Sequence, residues 1–394
     1  MDGLADVLGQ LQGAAIPASI LEASVLPARV QGYRPADLDA LLAAGEVVWM
    51  GAGAIGPSDG RVVLCFRDQA ALLLPGVGGA AEPPAGPVHD AIRARLAERG
   101  ASFYPDLVDA AGTADEAIVV PALWDLVWAG EVTNDTLAPL RAATAGLSRL
   151  PSRPGAARAR RPRPGRLSRL GPPPAAGRWS LVAGLLEPVE TPTAVAHGRA
   201  LQLLDRYGVL TREAVLAEGV PGGFAGVYGV LKALEESGRV RRGYFVAGLG
   251  AAQFALPGAV DRLRGFRDTD PEAAEVTVLA ATDPASAYGA ALPWPDPAEP
   301  GTGRPARAAG AHVVLVAGEP AAYLERGGRS LLTFPGAGRN PGWVDGLVAV
   351  VKDGFARKVE LVRIDGRPAR ESPWAAPLRA AGFADSYRGL VLRG

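Results

Sequence analysis

Basic and aromatic residues are concentrated in one short stretch of the chain, GRVRRGYF at 238–245. Arg239, Arg241 and Arg242 carry guanidinium groups that can contact phosphate oxygens, and Tyr244 offers a ring on which a nucleobase can stack. Tyr228 and Lys232 precede them on an apolar segment with helical spacing. These residue types predict a nucleic-acid-binding surface, and the alternative is a solvated hairpin without a ligand.

A second basic segment lies at 147–178, where nine arginines and no acid are spaced by prolines and glycines. Such a composition cannot bury a core, and it predicts an extended or disordered linker. Because the net charge of the 394-residue chain is zero, any affinity for nucleic acid must come from local clusters of this kind. The binding candidates in this segment are Arg158, Arg160, Arg161 and Arg163.

The sequence lacks the residues that several other activities would require. None of the three lysines, Lys232, Lys352 and Lys358, lies in a GxxxxGK phosphate loop, so autonomous ATP hydrolysis is not expected. The single Cys65 and three separated histidines predict neither a disulfide nor a metal site. There is no GxSxG nucleophile motif, and the glycine-rich GAGAIG at 51–56 is predicted to be a structural hairpin loop.

The elements that must position the basic stretch recur along the chain. An apolar helix ends at glycine and runs into a β-rich segment at 36–51, 120–135 and 227–245. Short helices precede the second and third units, and this is the plan of a winged-helix domain. In the third unit we expect helices at 194–207, at 212–218 with Thr211 as N-cap and at 224–237, followed by a hairpin that pairs 239–246 with 252–256.

After about residue 270 short β-rich runs dominate, interrupted by helices expected at 343–353 and 376–381 and by a flexible loop at 293–310. The predicted fold class is α+β, with tandem winged-helix domains followed by a β-rich, barrel-like domain. The expected divisions are winged-helix-like domains at 1–80 and 84–146, a linker at 147–178, a winged-helix domain at 179–268 and the β-rich domain at 269–394.

Long stretches resemble one known family. The runs LPARVQGYRPADLDALLAAGEVVWMG, DRYGVLTREAVLAEGVPGGFAGVYGVLKALEESGRVRRGYFV and AYLERGGRSLLTF are similar to the C-terminal region of the large helicase-related (Lhr) proteins. The resemblance implies a DNA-repair helicase whose motor, in the same or an adjacent polypeptide, hydrolyses ATP with Mg²⁺. It also implies a C-terminal region similar to bacterial DNA glycosylases and capable of self-association in some members. The Walker A and DExH elements of the motor do not occur in this sequence.

Three functions follow as hypotheses. The first is a non-motor portion that binds single-stranded or tailed duplex DNA. The second is a DNA glycosylase, for which the candidate acids are Asp261, Asp345 and Asp365, while the paired glutamines of some glycosylases are reduced to Gln253. The third is an oligomerisation platform for the motor. The chain itself is expected to need no metal or cofactor, to contact no membrane and to be cytoplasmic, because it shows no apolar run of about 18 residues and no signal peptide.

Overall fold

The computed structural model describes residues 2–78, 82–145, 171–250, 252–266 and 275–394. Its helices and strands form three helix–sheet modules that follow one another along the chain, and a β-rich module that follows them. This arrangement agrees with the α+β class that the sequence predicts. Arg158, Arg160, Arg161 and Arg163 lie outside the described residues, within 146–170.

The first module consists of α1 (Asp2–Leu11), β1 (Ile16–Pro17), α2 (Ala18–Ile20), a π-helical turn (Leu21–Val25), α3 (Pro35–Ala43), β2 (Val47–Ala54), β3 (Gly60–Phe66), a 3₁₀ turn (Arg67–Gln69) and α4 (Ala70–Leu73). Leu4, Leu8 and Leu11 are buried because their spacing places them on one face of α1. Strands β2 and β3 form a hairpin, in agreement with the hairpin loop that the sequence predicts at 51–56.

The second module consists of α5 (Pro87–Arg99), β4 (Ser102–Phe103), α6 (Tyr104–Ala111), α7 (Glu116–Trp128), β5 (Val132–Asn134), α8 (Ala138–Thr144), a 3₁₀ turn (Pro173–Ala175), β6 (Arg178–Leu181) and a second 3₁₀ turn (Val182–Leu185). Helix α7 is capped by Asp115, whose carboxylate accepts a hydrogen bond from the Ala117 amide at 2.9 Å. It is the buried, apolar helix of the module, with Leu123 and Leu126 fully enclosed.

The Arg- and Pro-rich segment connects two strands of this second module. The sequence predicts a linker at 147–178 between the second and third domains, with the third domain starting at 179. Strand β6, however, pairs with both β4 and β5, and its Trp179 lies opposite Ser102 and Asn134 and is fully buried. The predicted division is therefore corrected, because the hydrogen bonds of β6 place the central strand of the second sheet after the segment.

The third module consists of α9 (Pro192–Tyr207), β7 (Val209–Leu210), α10 (Arg212–Ala217), α11 (Gly223–Glu236), β8 (Arg241–Gly243), β9 (Gln253–Ala255) and α12 (Pro257–Gly265). The Thr211 hydroxyl accepts a hydrogen bond from the Ala214 amide at 3.1 Å, which confirms the predicted N-cap of α10. The three predicted helices and the hairpin are present, with ends shifted by one or two residues from the prediction, except that the hairpin strands are shorter.

The three modules share one strand order. Their sheets run β1–β3–β2, β4–β6–β5 and β7–β9–β8, so the last strand of each lies between the other two. In each sheet the pairing is antiparallel. In the first and third modules, helices followed by a hairpin whose second strand is central form the winged-helix plan that the sequence predicts. The second module has the same strand order, but α8 and a 3₁₀ turn lie between β5 and β6.

The C-terminal module consists of β10 (Val276–Ala280), β11 (His312–Val316), β12 (Glu319–Leu324), β13 (Ser330–Thr333), α13 (Pro335–Arg339), α14 (Trp343–Lys352), β14 (Lys358–Leu361), β15 (Arg363–Ile364), β16 (Arg367–Pro368), a 3₁₀ turn (Ala369–Glu371), α15 (Ala375–Ala380), β17 (Ala384–Asp385) and β18 (Leu390–Arg393). The sequence correctly predicts that this module is rich in strands, and it predicts helices within one residue of α14 and α15.

The strands of this module do not close into the predicted barrel within the part of the chain that the structure describes. One sheet has the order β10–β11–β12–β13–β15–β16 and therefore ends at β10 and β16. Strand β14 does not belong to that sheet. It pairs with β18 in a separate three-stranded sheet, which has the order β14–β18–β17. The loop at 293–310 packs on the larger sheet, where the Trp294 ring stacks on Phe334 with centroids 6.3 Å apart.

The first two modules share a core. The Thr133 hydroxyl donates a hydrogen bond of 2.5 Å to the Trp49 carbonyl, which joins β5 to β2. A Cβ atom at Gly51 would lie only 1.9 Å from the Val127 carbonyl oxygen of α7. The glycine-rich segment predicted as a hairpin loop therefore begins inside β2, and its first glycine allows the close approach of a helix.

The first module also contacts the third and C-terminal modules through buried polar groups. The Arg206 guanidinium donates to the carbonyl of Gln10 at 3.0 Å, at the C-terminal end of α1, where unpaired carbonyls favour a cation. The Arg29 guanidinium forms two hydrogen bonds of 2.7 and 2.6 Å with the Asp283 carboxylate. These contacts fix the modules around one central cleft.

Candidate nucleic-acid interface

The hairpin of the third module, formed by β8, residues 244–250 and β9, is the wing of this winged helix. Arg241 lies opposite Ala255 and Gly243 opposite Gln253 in its antiparallel pairing. The regular ladder starts at Arg241, two residues after the predicted start of this strand at Arg239. Val240 is buried, whereas Arg239, Arg241 and Arg242 are exposed.

A fully buried glutamine holds the wing in shape. The side-chain oxygen of Gln253 accepts hydrogen bonds from the Phe245 and Val246 amides, both at 2.8 Å. Its side-chain nitrogen donates to the Val246 carbonyl at 3.0 Å and to the Leu249 carbonyl at 3.4 Å. An amide side chain suits this position because it can accept and donate at once, whereas an apolar residue would leave these backbone groups unpaired.

Two of the predicted arginines have free charges. Among the described residues neither Arg239 nor Arg241 has an ion-pair partner, while Arg242 lies 3.8 Å from the Glu235 carboxylate. Tyr244 stands beside them with 86% of its surface exposed. The wing therefore presents two unpaired guanidinium groups and one open aromatic ring, which suits phosphate contact and base stacking.

The two predicted residues of α11 are less available. Lys232 forms an exposed ion pair of 3.6 Å with Glu236, one turn further along the helix. The Tyr228 ring is half-buried against Phe224 and Phe254, with centroids 5.7 and 6.1 Å away. Tyr228 therefore packs mainly as part of the module core.

A groove beside the wing contains residues that the sequence analysis missed. It has a volume of about 710 Å³ and lies between α10, the start of α11 and the wing. Its lining includes the exposed Arg212 and Leu216, together with the wing residue Arg242. The available signal was the position of Arg212 directly after the predicted N-cap, where it opens the second helix of the unit.

A larger cleft of about 810 Å³ lies between the first, third and C-terminal modules. Glu218 is the only carboxylate that the described residues contribute to its lining. This carboxylate accepts a hydrogen bond of 2.7 Å from the Tyr207 hydroxyl and pairs with Arg206 at 2.5 Å. Burial and, secondly, the charge of Glu218 raise the pKa of Tyr207, so its hydroxyl stays protonated and keeps donating.

The three acids considered for base excision lie elsewhere. Asp261 is exposed and pairs with Arg264 at 3.2 Å, and Asp345 is exposed on α14. Asp365, in contrast, is buried. Its φ of 50° and the φ of 74° at Gly366 form the two-residue turn between β15 and β16, and its carboxylate accepts hydrogen bonds from Thr333 at 2.7 and 2.8 Å. The turn and the hydrogen bonds to Thr333 thus account for the conformation and the burial of Asp365.

The described residues form neither a metal site nor a membrane-spanning helix. No group of three or more histidine, cysteine or acidic side chains there could hold a metal ion. No described helix is both long enough and apolar enough to cross a membrane. Burial raises the pKa of the Cys65 thiol to about 12, so this cysteine stays protonated.

Comparisons with known proteins identify the modules. Family models of a winged-helix domain of the large helicase-related protein match residues 1–67 and 189–275, which fall on the first and third modules. The chain is 46% identical over its full length to the Lhr helicase/probable uracil glycosylase of Mycolicibacterium smegmatis, and it covers 27% of that protein. It is 38% identical over 99% of its length to the Lhr helicase/uracil glycosylase of Escherichia coli, of which it covers 26%.

The chain thus spans about a quarter of the length of the two curated relatives. The two winged-helix matches and the full-length alignments agree with the resemblance seen in the sequence. Both comparisons thus support a similarity of this chain to the C-terminal region of the large helicase-related proteins.

Proposed function

We propose that this chain is a DNA-binding, non-motor portion of an Lhr-type ATP-dependent helicase that acts in DNA repair. In this proposal the wing of the third module holds single-stranded or tailed duplex DNA. The observation that carries it is the pair of unpaired guanidinium groups beside an exposed tyrosine, on a hairpin held by a buried glutamine. The ATP and Mg²⁺ chemistry would belong to a motor in the same or an adjacent polypeptide.

In the corresponding segments of the other modules, acidic side chains are bound within the protein. In the second module Glu131 stands at the start of β5, and its carboxylate binds the Arg93 guanidinium at 2.5 and 2.8 Å. In the first module the Asp59 carboxylate, at the tip of the hairpin, accepts a hydrogen bond of 2.6 Å from the Ser19 hydroxyl. Among the described residues of the three modules, it is the wing of the third that combines free positive charge with an exposed ring.

The expected binding is largely independent of base sequence. The start of α11, which faces the groove, carries Ala225 and glycines that offer no side-chain hydrogen bonds to base edges. Arg212 and the wing arginines can contact phosphates, which position a strand without reading its bases. Tyr244 can stack on any base, because every base has an aromatic face.

The test replaces Arg239 and Arg241 together by alanine in the full chain and measures binding of a labelled single strand by anisotropy across a range of salt concentrations. Two phosphate contacts on a single strand account for about 1.4 in the slope of log K against log salt, which is about 25-fold in affinity between 1 and 0.1 M salt. The slope should fall by that amount. The matched control, Arg363→Ala with Arg393→Ala, removes two exposed strand arginines of the C-terminal module. Equal slopes for both double variants would remove the wing from the proposal.

Base excision is the second candidate, and the names of both relatives favour it because each includes uracil glycosylase. The reaction needs an enclosed space for an extruded base and a carboxylate that can assist attack of water at C1′. The central cleft offers both, with Glu218 in its lining. Uracil-containing strands treated with the chain and then with alkali should break, and Glu218→Gln should abolish breakage while Asp261→Asn should not. Intact strands with the unmodified chain would exclude this activity.

Self-association remains an expectation from the resemblance alone. Light scattering of the full chain at micromolar concentration measures it directly. A monomer with and without DNA would exclude the oligomerisation platform, and it would leave the wing proposal unaffected.

A further inference from the structure

The central cleft contains polar groups that the protein leaves without partners. Ser286 is only 1% exposed and lines the cleft, yet its hydroxyl forms no hydrogen bond. The buried hydroxyl oxygen of Thr282, on the same loop, is also unpartnered and lines the cleft. Buried hydroxyls are almost always hydrogen-bonded in folded proteins, so this pair points to a ligand with a polar edge.

The loop that carries these hydroxyls is held firmly. The Asp283 carboxylate, between them in sequence, is bound by Arg29 and accepts a further hydrogen bond of 2.7 Å from the Ala285 amide. The Arg307 guanidinium donates to the Ser286 carbonyl at 2.6 Å and to the Asp283 carbonyl at 3.2 Å. The two hydroxyls are therefore preorganised, which is what specific recognition of a small polar edge requires.

The remaining walls of the cleft suit a flat, mainly apolar group with a charge at one end. Leu11, Leu249 and Leu292 approach from the first, third and C-terminal modules. Arg61 lies where the cleft meets an adjoining space of about 400 Å³, and it has no ion-pair partner among the described residues. A single nucleotide has this pattern of chemistry, because it joins a planar base with a polar edge to a phosphate.

The wing connects this cleft to the proposed DNA-binding surface. Val246 and Leu249, which follow the exposed Tyr244 along the wing, form part of the cleft lining. A strand held by Arg239 and Arg241 would therefore have the cleft within reach on the other side of the same hairpin.

We propose that the central cleft receives one unstacked nucleotide, with its base edge on Ser286 and Thr282 and its phosphate at Arg61. This inference rests on the proposed function for the source of the nucleotide, which is a strand held on the wing. A free nucleotide has the same chemistry, and the experiment below distinguishes the two sources.

The test uses the full chain and a single strand that carries one 2-aminopurine, whose emission rises when the base leaves the stack. Binding should raise the emission, and Ser286→Ala with Thr282→Val should remove the rise. The same double variant should raise Kd about 30-fold, the loss expected from two hydrogen bonds. The matched control is Ser330→Ala with Thr277→Val, which removes two hydroxyls of the same module outside the cleft lining. A parallel titration uses free 2-aminopurine deoxyribonucleotide monophosphate.

The outcomes separate the two proposals. In one outcome, binding of the DNA strand depends on Arg239 and Arg241, but the emission is the same in the cleft variant and its control. This result would overturn the cleft assignment alone. Saturable binding of the free nucleotide, lost in the cleft variant, without strand binding would establish the cleft as a site for free nucleotide and overturn the wing proposal. Binding of neither probe would overturn both.

Discussion

The buried glutamine of the wing makes a prediction that connects local hydrogen bonding to DNA affinity. Gln253→Leu keeps a side chain of similar size but removes the bonds to Phe245, Val246 and Leu249. Three of these bonds are 3.0 Å or shorter, and each is worth about 1 kcal/mol net. Because water can reach the half-buried wing backbone, the expected loss is about 2–3 kcal/mol for local opening of the wing, short of the full penalty for buried unpaired groups.

Hydrogen exchange measures that local opening directly. A loss of about 2–3 kcal/mol corresponds to exchange about 30- to 150-fold faster for the amides of 245–246, with little change in α9 or β11. The affinity for single-stranded DNA should fall in the same variant, since Arg241 and Tyr244 are then held less well. The salt slope should change less than in the arginine variant, because the charges are kept.

The matched control for this prediction is Gln202→Leu. Gln202 is a second hydrogen-bonded glutamine of the third module, and it donates to the Gly9 carbonyl at 2.9 Å, away from the wing. Its replacement should leave exchange at 245–246 unchanged. If Gln253→Leu also leaves exchange and affinity unchanged, the wing does not depend on this side chain, and the structural explanation of its shape is refuted.

Three further predictions concern the contacts between modules and the response to pH. Gly51→Ala should destabilise the chain by about 1–3 kcal/mol in urea unfolding, because the new Cβ would lie 1.9 Å from the Val127 carbonyl oxygen, whereas Gly53→Ala tests the effect of backbone conformation without that contact. Asp283→Ala should release the C-terminal module from the first, since it leaves the Arg29 guanidinium without its buried partner, and faster limited proteolysis after residue 275 would report this. Burial lowers the pKa of His312 to about 4, below its value near 6.5 in the unfolded chain, so its contribution to stability is present above about pH 6.5 and is lost towards pH 4. His312→Leu should flatten that part of the stability profile, and an unchanged profile would contradict the assignment.

Local patterns in the sequence were sufficient to predict the helices and the wing of the third module. Thr211 is followed by an apolar run with helical spacing, and VPGG separates that run from the next helix, so both helix starts could be predicted. The wing could be predicted because its strands are separated by only a few residues that include glycine. Each of these signals lies within about ten residues of the structure it specifies.

The errors arose where the partner of a segment is distant in sequence. Strand β6 has only four residues, and its partners Ser102 and Asn134 lie on the far side of the Arg- and Pro-rich segment. No periodicity in GRWSL indicates which sheet it joins, so a composition change was taken for a domain boundary. The predicted barrel-like closure is not found among the described strands for a similar reason, because nothing in the strand patterns shows that β14 pairs with β18 instead of extending the larger sheet.

The same distinction separates the two candidate sites. The wing is specified by a continuous stretch, and its shape depends on Gln253 from the adjacent strand, so the third module alone can position it. The cleft combines Leu11, Tyr207 and Ser286 from three modules and exists only while they are docked. A change that separates the C-terminal module should therefore remove nucleotide capture and leave wing binding in place. DNA binding at the wing can thus precede, and does not require, the assembly of the cleft.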